Sequence, residues 1–233
     1  MYKKNLVIFF PSFEKGGVAN ILRNLLKSQD SKRFSIHIIS SRNLLSSIAT
    51  KNKFNFYPVT RKINIPFFPP RFVSALNAMF VLITLLKKLN GATVVHSMQS
   101  NVAAIIVCIL NRAKIIIRNS ENPIYSTIHT ENKFFGWLVF FLKLLFYNFA
   151  DGIITNSEGS AKSLKYFVFN NKKIYYIYNP YLKKINKKKF KKKNYIINIA
   201  RLRKQKDQKT LLYAYKLFLE KNKKYKLLIL GHG

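Results

Sequence analysis

The chain has 233 residues, of which 42 are Lys or Arg and 8 are Asp or Glu, giving a formal net charge of +34. With 48% apolar residues it can bury a core, and its length accommodates one complete α/β domain and part of a second, given domains of about 100 to 150 residues. A single cysteine, Cys108 inside an apolar run, excludes a disulfide framework and makes a reducing compartment the expectation.

The charge has two readings. Lysine dominates it beside abundant Asn, Ile, Phe and Tyr, a joint bias that an AT-rich genome produces without selection for binding. Alternatively it serves anionic surfaces, each Lys or Arg near an acidic membrane being worth about 1 kcal/mol. RNP-like, KH-like and zinc-finger signatures are absent from the sequence, so no specific nucleic-acid partner is expected.

From the amino terminus, residues 5–10 (NLVIFF) form a continuous apolar run, as a parallel strand covered on both faces requires. The run is too short for a secretory signal and breaks at Pro11, so the expected home is the cytoplasm. PSFEK then leads into Gly16-Gly17 and a helix with Val18, Ile21, Leu22 and Leu25 on one stripe. Two glycines at a helix start let backbone N–H groups approach an anion, or simply make the turn; the pattern is neither GxGxxG nor a Walker loop.

Further short apolar runs at 34–40, 93–96, 114–118, 152–156 and 173–178 alternate with helical patterns, which predicts a Rossmann-type parallel sheet with helices on both faces. Three longer apolar stretches fail as membrane spans. Residues 72–86 are too few for the roughly 20 that a span needs, 102–117 are interrupted by Asn111, Arg112 and Lys114, and 134–150 contain Lys143. They read as core helices. The alternative for 66–89, opened by FFPPRF and closed by Lys87-Lys88, is a segment lying on a bilayer surface.

Each parallel strand delivers its last residues to the carboxyl edge, where open α/β sheets bind ligands. His96 arrives there with Ser97, Met98 and Gln99; Arg118 arrives with the polar loop Asn119-Ser120-Glu121-Asn122-Pro123. For His96 the plain alternative is a core or surface histidine, and for Arg118 and Glu121 a loop ion pair worth little at a surface. Ser157 reads as a helix N-cap and Asn179-Pro180 as hinge geometry.

Residues 183–194 (KKINKKKFKKKN) resist burial and divide the chain into a domain at 1–182, a lysine-rich linker, and a unit at 195–233. That last unit reads as a strand, the basic turn Arg201-Leu-Arg-Lys-Gln-Lys206, a helix with Leu211, Ala214, Tyr215 and Phe218 on one stripe, and a second strand ending at Gly231. Arg201 and Lys206 beside a helix amino terminus suit a phosphate-bearing ligand. Two strands and one helix cannot bury both faces of a sheet, so this second domain is expected to be incomplete. No metal is expected: His37, His96, His129 and His232 are scattered, and there is no HxxE or DxD cluster.

The carboxyl-terminal unit resembles the donor-binding domain of glycosyltransferase family 4, retaining enzymes of the two-domain GT-B fold. The resemblance rests on Ala200, Arg201, Gln205, Lys206, Leu211, Leu212 and Ala214, closing with Leu230-Gly231-His232-Gly233; the family's usual Gly before the Arg is here Ala200. It implies that Arg201 and Lys206 hold the diphosphate of a nucleotide-sugar donor without a metal or other cofactor. It implies that Gly16 and Gly17 lie across the cleft from that donor, and that His96 positions the reacting groups. Arg118 and Glu121 would border the acceptor side, with Glu121 a hydrogen-bond partner for a sugar hydroxyl. The acceptor would be a saccharide or lipid-linked saccharide of capsule or lipopolysaccharide assembly, met at the inner membrane face. The departing phosphate would itself take the acceptor proton. The nucleobase pocket and a pair of glutamates belong to the missing part of the second domain, so the chain reads as a fragment, inactive as it stands. The competing class is a non-catalytic basic module for anionic membrane or nucleic acid.

Overall fold

The structure, a computed structural model, describes residues 4–12, 17–28, 33–41, 54–60, 63, 65–66, 68–128, 132–170, 173–180, 193–202 and 204–232. The chain divides into two compact units, Met1–Lys183 and Lys184–Gly233. Gly16, His129 and positions 183–192 of the lysine block lie outside the described residues.

The first unit is built on a seven-stranded sheet in the order β3-β2-β1-β4-β5-β6-β7, every pair parallel. Its strands are β1 (Lys4–Phe10), β2 (Phe34–Ser40), β3 (Asn55–Pro58), β4 (Thr93–Ser97), β5 (Lys114–Asn119), β6 (Gly152–Thr155) and β7 (Ile174–Tyr176). All but β3 follow the apolar runs read from the sequence. β3 escapes that reading because it is short, opens on Asn55, ends on Pro58 and pairs on one side only, so it has no need of a continuous apolar run.

Period-two alternation sorts the strands into two faces. Val7, Phe9, Ile39, Val95, Ile115, Ile117 and Ile153 enter the larger core. Against them pack α2 (Pro70–Lys88), α3 (Asn101–Leu110) and α6 (Glu158–Leu164) through Ala78, Leu82, Ile105, Val107 and Leu164. Ile8, Phe10, Ile36 and Ile38 face the other way, under α1 (Gly17–Ser28). The α1 stripe is turned slightly from the predicted one: Ala19, Leu22 and Leu26 are the most buried, while Val18 and Leu25 are half-buried.

On that second face, α1 packs mainly over β1 and β2. Over β4 to β7 the described residues leave an open, mainly apolar cavity of about 590 Å³, lined by Val94, Ile116, Gly152, Ile154, Ile174 and Ile177 among others.

Helix α2 runs for 19 residues, longer than the apolar run suggests, and by length and composition alone it is able to cross a membrane. Part of it packs inside the first unit. Val73, Ala78, Leu82 and Leu85 are buried, and buried Asn77 donates to the carbonyls of Val73 and Ile63 while accepting from Ile63 N–H. After α2 the chain turns at Gly91, whose φ of 87° favours glycine, and Asn5 Nδ2 donates to Asn90 O to fix the entry of β4 beside β1. The next helices are α4 (Pro123–Ile128) and α5 (Lys133–Phe146). Ser157 caps α6 as expected, its side chain accepting from Ser160 N–H at 3.2 Å.

Cys108 sits in the larger core, 1% exposed, and burial together with the charge of Asp151 pushes its thiol pKa up to about 12. A thiol held protonated and out of water does not react. Ellman's reagent is expected to label Cys108 only as the first unit opens; rapid labelling of the native chain would contradict this packing.

The second unit contains β8 (Tyr195–Ile199), α7 (Gln208–Lys221) and β9 (Lys226–Leu230), with β8 and β9 parallel. Leu211, Tyr215 and Phe218 are half-buried while Ala214 is exposed, so the helix stripe is narrower than predicted. Tyr215 OH replaces core packing with polar ties, donating to Tyr225 O and accepting from Leu227 N–H. Among the described residues of this unit, none is a fully buried hydrophobic, as expected of two strands and one helix.

Candidate functional site

In the first unit, strand order reverses between β1 and β4, which makes their carboxyl ends the switch point where such sheets bind ligands. The two ends are tied together. Met98 N–H donates to Phe9 O at 3.0 Å, and Ser12 N–H donates to the Gln99 side-chain oxygen at 3.2 Å. Ser100, which follows, is left-handed (φ 56°, ψ 44°), an uncommon conformation for a serine that commonly marks working loops. The Oγ of Ser12 is buried there with no hydrogen-bond partner.

Gly17, the described half of the glycine pair, is the first residue of α1 and exposed. A Cβ built on it meets nothing within 4 Å, and its φ is not positive. Neither packing nor turn geometry within the described residues therefore demands glycine at this position.

His96 lies near the end of β4, opposite Ile116 of β5, and Arg118 is two residues further along β5 on the same face. Burial foremost, then the Arg118 charge, lowers the His96 pKa from 6.5 to about 4, against a backbone hydrogen bond to Ile116 that raises it. At neutral pH the imidazole is therefore uncharged, one ring nitrogen engaged with the backbone. It can hold a hydroxyl but cannot serve as a charged acid.

Arg118 is buried, and its Nη2 donates to Asn179 Oδ1 at 2.6 Å, so the segment that leaves β7 is pinned to the end of β5. Asn24 Nδ2 donates to Pro180 O at 2.7 Å and holds the same exit from the other side. Glu121 is exposed in its loop, and its charge acts on Lys143 and Tyr147.

Beneath these residues runs a polar network that spacing in the sequence does not reveal. Ser97 Oγ donates to Asn101 Oδ1 at 2.8 Å; Asn101 Nδ2 donates to Arg118 O at 3.0 Å and to Tyr147 OH at 3.2 Å; Tyr147 OH donates to Asn119 Oδ1. Tyr147 is 3% exposed, and burial leads in pushing its phenol up to about 12, so it stays neutral and acts as a hub joining the ends of β4 and β5.

The apolar cavity is a different place. It spreads over the open face from the amino ends of β5 and β6, with Lys114 and Asp151 at its margin, and neither His96 nor Arg118 lines it. Its walls lack the convergent polar groups that orient a substrate.

In the second unit, Arg201 follows β8 and Lys206 closes a short 3-10 turn (Lys204–Lys206) ahead of α7; both side chains are exposed at the carboxyl end of β8. Gln208 Nε2 donates to Arg201 O at 2.9 Å and fixes the turn. The helix amino terminus is not the open anion seat read from the sequence. Asp207, left-handed at φ 45°, caps it by accepting from Thr210 N–H, and its carboxylate repels a second anion at that end. Gly231 lies against the start of the same turn, where a Cβ would stand 1.8 Å from Ala200 O.

No group of three or more His, Cys, Asp or Glu able to hold a metal occurs among the described residues.

Residues 15–181 match the model of Glycosyltransferase Family 4. No curated protein matches. Among solved structures, HepE of Anabaena in complex with UDP and glucose aligns with a TM-score of 0.63 at 14% identity, over 100% of this chain and 62% of its own. A glycosyltransferase from Rickettsia africae aligns at 0.57 and 15% identity, over 99% and 61%. A putative UDP-N-acetylglucosamine 2-epimerase from Listeria monocytogenes aligns at 0.59 and 12% identity, over 98% and 63%. The chain thus spans about three fifths of the length of these relatives in fold. They share its α/β, GT-B-like architecture of parallel Rossmann-type sheets. With a family match covering most of its length and that architecture in place, the chain belongs to Glycosyltransferase Family 4.

Proposed function

We propose that this chain is the first domain and the beginning of the donor-binding domain of a retaining glycosyltransferase. It would move a sugar from a nucleotide-sugar donor to a saccharide or lipid-linked saccharide in capsule or lipopolysaccharide assembly, at the cytoplasmic face of the inner membrane. The observation that carries the reading is the family match over residues 15–181. Support comes from HepE, a neighbour in fold whose structure holds UDP-glucose.

Arg201 and Lys206 hold the diphosphate in this reading, cations set where the leaving group gains negative charge, and no metal is needed there. Gly16 and Gly17 contribute backbone N–H groups. His96, neutral at working pH, orients a hydroxyl. Arg118 shapes the acceptor side by holding Asn179, and Glu121 accepts from an acceptor hydroxyl. The proton of the attacking hydroxyl passes to the departing phosphate on the same face of the sugar. A chain of this extent binds donor weakly and turns over little, because the nucleobase pocket belongs to the remainder of the second domain.

The test is a titration of UDP-glucose against the 233-residue chain by ligand-observed NMR. Arg201→Met and Lys206→Met are each expected to weaken binding roughly tenfold, the loss of one charge-assisted contact. Equal affinity in both variants and the wild type would remove the diphosphate assignment. Gly17→Ala is the companion measurement. With open space around the new Cβ it keeps the native stability, so any loss of binding reports how closely the ligand approaches the backbone.

A further inference from the structure

Helix α5 is apolar apart from Lys133 and Lys143, yet none of its residues is buried. Its inner side is half-buried, with Phe140 edge-on to Phe167. Its outer side carries Phe134 (73% exposed), Trp137 (57%), Leu138 and Phe141 (57%), a stripe at helical spacing that faces solvent. The stripe continues onto the start of α2. Phe134 meets Phe135 edge-on, Phe135 meets Phe68, and Phe68 stacks on Phe72 at 5.1 Å. Two rings of α5, Phe72 of α2 and Phe68 just before it thus make one connected aromatic surface, flanked by exposed Arg71 and Lys133.

A connected apolar patch of this kind marks an interaction surface, unlike apolar side chains exposed singly. The charge selects the occupant. At +34, two copies of this chain repel each other, whereas an anionic bilayer attracts it and receives the aromatic side chains at the headgroup boundary. At 14 residues α5 is too short to cross a bilayer and suits lying along its surface.

We infer that the outer face of α5, with Phe68 and Phe72 of the adjoining α2 start, docks flat on an anionic lipid surface. The sequence suggested 66–89 for such a role; in the structure the start of that segment, Phe68 and Phe72, shares the exposed face with α5, while Val73, Ala78, Leu82 and Leu85 turn inward. The inference rests on the proposed lipid-linked acceptor only for its biological purpose.

The chain has one tryptophan, Trp137, and it lies in this face. Its emission is therefore a direct reporter. With phosphatidylglycerol–phosphatidylcholine vesicles the emission is expected to shift to the blue and to be quenched by lipids brominated near the headgroup. Phosphatidylcholine alone should give a much smaller response. The triple variant Phe134→Ser, Leu138→Ser, Phe141→Ser keeps Trp137 and removes only exposed side chains; it is expected to bind roughly tenfold or more weakly. Its circular dichroism verifies the fold, and the quenching in wild type stands without it.

Vesicle binding that leaves Trp137 unquenched would show a purely electrostatic association and overturn the docking face. So would emission that is already blue and shielded from acrylamide without lipid, which would mean that protein, a second copy included, covers the patch. UDP-glucose affinity separates the two proposals: lost vesicle binding with intact nucleotide binding sinks this surface alone, and the reverse sinks the donor site alone.

Discussion

His96→Gln is expected to gain stability relative to wild type as the pH falls from 7 to 4. The imidazole titrates near 6.5 when the chain is unfolded and at about 4 when folded. Between those values the unfolded state binds a proton that the folded state refuses, so acid draws the wild type toward unfolding. Above 6.5 the difference vanishes, and below 4 it is fully developed at roughly 3 kcal/mol. Glutamine carries no such proton. Urea unfolding of both proteins at several pH values measures the effect, and parallel stability profiles would show that His96 titrates as an ordinary exposed histidine. Arg118→Met should recover part of the shift, because the guanidinium supplies a smaller part of it than burial does.

Gly231→Ala should cost the second unit about 3 kcal/mol or more, at the upper end of overpacking effects. A Cβ at 231 would stand 1.8 Å from the Ala200 carbonyl oxygen and 2.9 Å from its carbon, both backbone atoms with no rotamer to retreat to. Ala200 N–H donates to Leu230 O and Leu202 N–H to His232 O, so a forced separation breaks the ladder on either side of Arg201. Amide exchange at Ala200 and Leu202 should accelerate strongly while amides of β1 and β4 in the first unit stay protected. Unchanged protection at Ala200 would show that the strands accommodate the methyl group. The close approach also explains why a glycine follows Leu230 at this point of the chain.

Legibility in the sequence tracked how local the cause was. β1, β2 and β4 to β6 were readable because interior strands are paired on both sides and run apolar; β7, an edge strand, was readable only because its short run is itself apolar. β3 was not, since an edge strand of four residues tolerates Asn55 and Pro58. His96 and Arg118 were found because strand ends can be read, and the structure places them on one face, two registers apart. The network through Asn101, Asn119 and Tyr147 stayed hidden: its members are separated by 17 to 46 residues and meet only once β4, β5 and the end of α5 are packed. The Asp207 cap carries a local signal, an aspartate three residues before Thr210 at a helix start, beside the more conspicuous cations of the turn.

β1, an interior strand of the first sheet, precedes all the other strands of that sheet in the chain. Asn5 to Phe9 find β2 within some thirty residues, but their other neighbour, Thr93 to Ser97, lies 88 residues downstream. At a synthesis rate of about 5 to 20 residues per second, one side of NLVIFF waits roughly 4 to 18 seconds on the ribosome without its strand partner. A nascent chain with that exposed, strongly apolar strand invites chaperones, and overexpression that outruns them should drive this protein into inclusion bodies.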